Sequence, residues 1–233
     1  MKTLGIIGGL GPMATAYFSR LLVSLADVDR DQHHLDTVTV NRPSTPDRTA
    51  FILGDSSESP LPVIIDAGRI LKTAGADAIA IPCVTSHYFL DEIERGIGLP
   101  VINMVEETVK DLKKRGIRSV GITATSGTVR TELFQNELKK HGMTPVIPSE
   151  EEQKKVMHII YDRVKANLPP EEGMFEEVCE GLYTAGAENV ILGCTELSLL
   201  KRDGLIPNEG VTDALESLAR ASLEYFSLPV KHL

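Results

Sequence analysis

Two stretches constrain this chain more than the rest of it: residues 74–87, AGADAIAIPCVTSH, and residues 185–198, AGAENVILGCTELS. In each, a helix closes at Ala-Gly-Ala and an apolar run follows that fits a strand buried on both faces. A cysteine comes next, with threonine directly after it or one residue later. Placing Cys83 on Cys194 also places Gly75 on Gly186 and Asp77 on Glu188. A fainter echo sets residues 5–12, GIIGGLGP, against 121–128, GITATSGT, with Thr15 opposite Thr131. The chain therefore reads as two similar halves, each ending a buried strand in one cysteine. A site between such halves would hold two facing thiols.

The other elements alternate. Strands are expected at 3–7, 37–41, 78–82 and 100–102, and again at 119–124, 144–147 and 189–193. Helical spacing or charge patterning falls at 13–26, 62–74, 85–95, 106–115, 131–141, 150–165, 171–185 and 212–226. This alternation predicts an α/β fold: two pseudo-symmetric domains with mainly parallel sheets flanked by helices, right-handed crossovers and a cleft between them. No low-complexity linker separates the halves. The expected division is 1–103 completed by a returning 209–233, and 104–208.

Composition narrows the partners. With 42% hydrophobic and 24% charged residues among 233, the chain has the make-up of an ordinary globular protein with a sizeable core. A formal charge of −9 and no Lys/Arg cluster argue against nucleic acid or an anionic membrane. A local pair of cations could still receive a small anionic substrate. No apolar run is long enough to span a bilayer, and the opening Met-Lys-Thr runs into a strand without a signal pattern. Three cysteines do not form a disulfide framework, so a cytoplasmic setting is expected.

In parallel sheets, ligands sit beyond the carboxyl ends of the strands. The loops that fall there are 8–12, 41–48, 83–85, 125–128 and 194–196. The first, Gly8-Gly9-Leu10-Gly11-Pro12, lacks the spacing of a dinucleotide fingerprint. It is either a tight strand-to-helix turn or a nest of amides for a carboxylate. Cys179 lies on the apolar stripe Phe175, Val178, Leu182 and reads as a core residue. Cys83 and Cys194 each precede a helix, where a helix N-terminus would favour a thiolate. Neither carries metal-ligand spacing. His87 lies four residues after Cys83, which leaves a Cys-His hydrolase open but suits a structural neighbour better. On residue type alone, Arg48 and Lys165 read as a surface salt bridge and a solvated helix face.

Pro82-Cys83-Val84-Thr85-Ser86-His87 and Gly193-Cys194-Thr195-Glu196-Leu197 resemble the paired cysteine motifs of the aspartate/glutamate racemases. Gly8–Pro12, Pro46-Asp47-Arg48-Thr49 and Asn103-Met104-Val105-Glu106-Glu107-Thr108 resemble further blocks of the aspartate racemase branch. The resemblance runs in order along nearly the whole chain. It implies a cofactor-free enzyme acting on a small acidic amino acid, commonly as a homodimer, with Cys83 and Cys194 as the two bases. Arg48 and Lys165 match the cations that hold the substrate's side-chain carboxylate. Thr85, Thr125, Thr128 and Thr195 match positions around its α-carboxylate and amino groups, and Ser126, Gly9 and Leu10 join them as candidate contacts. One departure stands out: the family usually has Asn where this chain has Val84, which removes a donor and an acceptor. Ser86 in place of Ala and Leu10 in place of Met are milder changes.

The chemistry accounts for two thiols. Racemisation takes the α-proton from one face of the carbon and returns a proton to the other. One base must be deprotonated while its counterpart carries a proton. Contacts of roughly 3–3.5 Å on each side imply sulfurs roughly 7 Å apart around the reacting carbon. The expected activity is aspartate racemisation. Alternatives are glutamate racemisation, an isomerase, decarboxylase or hydantoin racemase on a related carboxylate, and a dicarboxylate-binding protein with little turnover.

Overall fold

The computed structural model describes residues 2–231. The first half runs β1 (Thr3–Gly8), α1 (Pro12–Leu25), β2 (Asp36–Asn41), α2 (Arg48–Leu53), α3 (Leu61–Thr73), β3 (Ala78–Ala80) and α4 (Leu90–Ile97). The second runs α5 (Met104–Lys114), β4 (Ser119–Thr123), α6 (Ser126–Arg130), α7 (Leu133–Lys140), β5 (Thr144–Val146), α8 (Glu150–Met157), α9 (Met174–Thr184), β6 (Asn189–Leu192) and α10 (Thr195–Arg202). It closes with β7 (Val211–Asp213) and α11 (Ala214–Tyr225). The strands form two parallel sheets, ordered β2-β1-β3 and β5-β4-β6-β7, with helices against both. This is the α/β architecture that the alternation predicts.

The duplication is visible in individual hydrogen bonds. Helices α3 and α9 both end at a glycine in the left-handed region, Gly75 (φ 92°) and Gly186 (φ 97°). The amides of Ala76 and Ala187 then reach back to Leu71 O and Leu182 O, each at 3.0 Å, as in a Schellman closure. One residue later, Asp77 accepts from the Thr3 amide (2.7 Å) and Glu188 from the Arg118 amide (2.8 Å). Each carboxylate fastens the start of the strand it precedes to the start of the neighbouring strand.

One apolar core joins the halves. Leu4 and Ile6 of β1, Phe18 and Leu22 of α1, and Met104 and Val109 of α5 belong to the same buried cluster as Val120 and Ile122 of β4 and Leu215 and Leu218 of α11. Helix α11 packs against both α1 and α5. The last helix therefore lies between the halves, while β7, which periodicity did not reveal and which falls in the stretch 209–233 expected to complete the first half, extends the second sheet beside β6.

Several elements differ from their sequence reading. Residues 100–102 make only an isolated parallel bridge, Ile79 to Val101. The helix expected over 85–95 begins as a 3-10 turn, Val84–Phe89, before α4. There the Cys83 carbonyl accepts from the Ser86 amide (3.3 Å) and from the His87 ring (3.0 Å), so it is taken before an α-helical amide can use it. The helix expected over 131–141 is broken by Glu132, whose φ of 54° separates α6 from α7. The one expected over 150–165 starts with a Ser149–Glu152 capping box and widens into a π-helical turn, His158–Val164. That turn closes with the Lys165 amide on Ile160 O at 3.0 Å.

Cys179 is buried among Phe175, Val178 and Leu182, and burial pushes its thiol up to about 12. Cys179→Ser should lower stability by about 1–3 kcal/mol, because the hydroxyl enters an apolar site. Chemical denaturation checks this, and catalytic rate constants should stay at the parent value.

Candidate active site

The carboxyl ends of β1, β3, β4 and β6 face a cleft between the halves. Cys83 caps the 3-10 turn after β3, and Cys194 caps α10 after β6, both with extended backbone. Both are free, buried and on the cleft wall. Arg48 enters from the start of α2, Lys165 from the end of the π-helical turn, and Thr85, Thr125, Thr195 and Leu10 complete much of the lining. The cleft is narrow, a cavity of about 10 Å³. That is room for roughly one water. An adjoining groove reached past Leu10, Asp47, Arg48, Lys165 and Glu196 offers about 540 Å³ by the same measure.

The two thiols sit in unequal surroundings. The Cys194 thiol donates to Glu196 Oε2 at 2.9 Å. Burial first, and the Glu196 carboxylate second, raise its pKa well above the ordinary range, against a smaller pull from Lys165. The helix N-terminus was expected to favour a thiolate here; desolvation and an adjacent negative charge outweigh it. Cys83 instead neighbours Arg48. Burial opposes the guanidinium's charge, but Cys83 and Asp47 prevail and raise its pKa. Its Nη2 donates to Leu10 O (2.6 Å) and its Nη1 to Pro46 O (3.1 Å), while its buried Nε has no partner.

Lys165 also keeps its charge. Burial works against it, and the negative charge of Glu196 and its other acidic neighbours overcomes that and raises its pKa. Its Nζ lies 3.8 Å from the Tyr161 ring centroid and 3.6 Å from Asp47 Oδ2. Tyr161 Oη donates to both Asp47 oxygens at 3.1 Å, a bond that spans the cleft. Asp47 meanwhile caps α2 through the Ala50 amide (2.8 Å). Deeper in, the hydroxyls of Thr49, Thr85, Thr125 and Thr128 lie 2.9–3.2 Å from one another, again joining the halves. Among the described residues, no three His, Cys, Asp or Glu gather as a metal site would require, and no helix is long and apolar enough to cross a membrane.

A family model described as Asp/Glu/Hydantoin racemase matches residues 7–221. The chain belongs to this family. Its fold superposes on the aspartate racemase of Picrophilus torridus with a TM-score of 0.86 and 31% identity, over 99% of this chain and 96% of that one. It is 26% identical to the broad specificity amino-acid racemase RacX of Bacillus subtilis, over 96% of this chain and 97% of its relative. With the glutamate racemase of Aquifex aeolicus it shares 26% identity, over 69% of this chain and 63% of that protein.

Of the residues this racemase family led us to expect, Cys83, Cys194, Arg48, Lys165, Thr85, Thr125, Thr195 and Leu10 meet in the cleft. Three do not line it. Thr128 stands behind Thr85 and Thr125 in the hydroxyl cluster. Ser126 accepts from Gln153 Nε2 (3.2 Å) on a separate groove beside α8. Gly9 lines the outer groove, and its amide donates to Thr15 Oγ1 at 3.0 Å, so it is not free for a carboxylate. Asp47, Thr49, Tyr161 and Glu196 were not singled out in advance, yet all four line the cleft. Their signal was proximity: Asp47 and Glu196 lie inside the quoted motifs, and Tyr161 is four residues before Lys165.

His87 generates a pH prediction. Burial lowers its pKa, so the folded state refuses a proton that the unfolded chain takes up near pH 6.5. Stability present above that pH is lost as the pH falls below it. His158, raised by Asp162 and then Glu171, acts in the opposite sense, but equally in parent and variant. Melting temperature should therefore fall more steeply from about pH 6.5 to 5 in the parent than in His87→Gln.

Proposed function

We propose that the chain racemises an acidic amino acid, aspartate foremost, with Cys83 and Cys194 as its two bases and no cofactor. The observation that carries this reading is the meeting of two free cysteines, from equivalent strand ends of the two halves, in one narrow cleft with Arg48 and Lys165. A thiolate takes the α-proton from one face, and the opposite thiol gives its proton to the other. The negative charge passes transiently onto the α-carboxylate as an enediolate. In this reading Cys194, whose thiol donates to Glu196, starts as the proton donor, and Cys83 takes the opposite role. The roles exchange after each turnover. Arg48 and Lys165 receive the distal carboxylate, and threonine hydroxyls and amides receive the rest. A homodimer and a cytoplasmic location accompany this reading by resemblance.

A broader substrate range is the second reading, and one contact favours it. Asp47 already accompanies Lys165, and two of Arg48's nitrogens are spent on backbone carbonyls. The distal carboxylate thus meets partly committed cations. Val84, apolar in the cleft wall, adds no donor at the other end.

Cys83→Ser and Cys194→Ser should each lower racemisation by about 10²–10⁴-fold with the fold intact. Chiral chromatography and circular dichroism read both, and full interconversion by either single variant would sink the two-base reading.

A panel of L- and D-amino acids in deuterated buffer, with enzyme dialysed against a chelator and a carbonyl reagent, tests the substrate. Aspartate should racemise fastest, gaining one deuterium per inversion, and Arg48→Lys should impair it by losing the planar fork. Alanine turned over as fast as aspartate would return Arg48 and Lys165 to a role without the distal carboxylate.

A further inference from the structure

His87 is buried, 4% exposed, and stands behind the cleft wall, bonded to Cys83. Its two ring nitrogens have different partners. Nε2 lies 3.1 Å from the Met104 amide, the first residue of α5, and Nδ1 lies 3.0 Å from the carbonyl oxygen of Cys83. An amide can only donate, so Nε2 is the acceptor. The remaining proton is then on Nδ1 and points at the Cys83 carbonyl. The imidazole is neutral with one tautomer, and protonation would set two donors face to face at Met104. Burial, which lowers its pKa, keeps it in that state.

The ring thereby ties two things together. One is the backbone of Cys83, whose amide is itself held on Ile81 O at 2.7 Å and whose carbonyl also accepts from Ser86 at 3.3 Å. The other is the start of α5, a helix in the core that joins the halves. With its backbone held on both sides, Cys83 has few ways to aim its side chain. We propose that His87 is a positioning residue: a neutral strut that fixes the Cys83 backbone against α5 and so aims the sulfur at the reacting carbon. This rests on the two-cysteine reading. It differs from a Cys-His pair, because the ring never exchanges a proton with the thiol. Thiol-imidazole catalysis would need a ring nitrogen on the sulfur, and both are engaged elsewhere.

Two polar replacements of similar size separate aim from stability. The amide of His87→Asn sits where Nδ1 was, so it still donates to Cys83 O but leaves the Met104 amide unpaired. The amide of His87→Gln sits where Nε2 was, so it serves Met104 and releases Cys83. Asparagine should melt lower than the parent yet keep kcat within about threefold. Glutamine should melt near the parent, lose about tenfold or more in kcat, and keep KM within about twofold, as expected for a small misplacement of a reacting group. Alkylation by iodoacetamide, mapped by peptide mass, supplies a readout that needs no turnover. The Cys83-to-Cys194 ratio should drop in the glutamine variant and hold in the asparagine one. Rate losses that simply track melting temperature, or an unchanged alkylation ratio in both variants, overturn the strut. If Cys83→Ser keeps full activity, the two-cysteine reading falls, and the alkylation ratio still decides whether His87 holds Cys83.

Discussion

A carboxylate bound to a backbone amide sets the register of both halves. Asp77 on the Thr3 amide and Glu188 on the Arg118 amide pin the strand that leads to a cysteine against the strand that begins its sheet. Side chains alternate faces along a strand, so a slip of one residue would turn each buried strand inside out and carry its cysteine off the cleft wall. The left-handed glycines before these acids, Gly75 and Gly186, let the preceding helix end abruptly enough for the carboxylate to reach. Cys83 and Cys194 follow the strands that these two closures hold in place.

A symmetric scaffold then carries asymmetric side chains. Both cysteines occupy the N-cap position of a helical turn, so the backbone around them is alike. The difference comes from one side chain apiece: Arg48 beside Cys83, and Glu196 beside Cys194. Racemisation by two bases needs one thiolate and one thiol at the outset. Two equivalent thiols would leave that assignment to chance, with much of the population carrying two protons or none. If the two cysteines act as the proposed pair, unequal neighbours distinguish their roles, with a carboxylate on the Cys194 thiol alone.

The fold was largely legible because its signals are local. Apolar runs, Ala-Gly-Ala closures and the alternation of strand and helix needed only neighbouring residues, and the repeat of Cys83 in Cys194 marked the place where the halves meet. What remained hidden depends on contacts distant in sequence. Asp47 meets Tyr161 across 114 positions, and the threonine hydroxyls meet across 40 or more. The 3-10 turn after Cys83 arises from a side chain taking a carbonyl, and the π-helical turn before Lys165 from an extra residue within a helical pattern. Neither changes hydrophobic periodicity enough to be seen. Strand β7 is three residues long and was absorbed into the helix that follows it.

The narrowness of the cleft follows from the same long-range contacts. Tyr161 on Asp47 and Thr49 on Thr125 draw the walls together until about one water fits. The groove beyond Leu10 and Glu196 adjoins this cleft and shares Arg48 and Lys165 with it. A ligand between these walls would exchange bonds across the cleft for its own. A ligand carboxylate that reaches Lys165 replaces part of what Asp47 supplies, and re-closure restores the low dielectric in which Arg48 and the thiols act most strongly. The contacts that close the cleft also hold Lys165 beside Asp47, where an anionic ligand would compete.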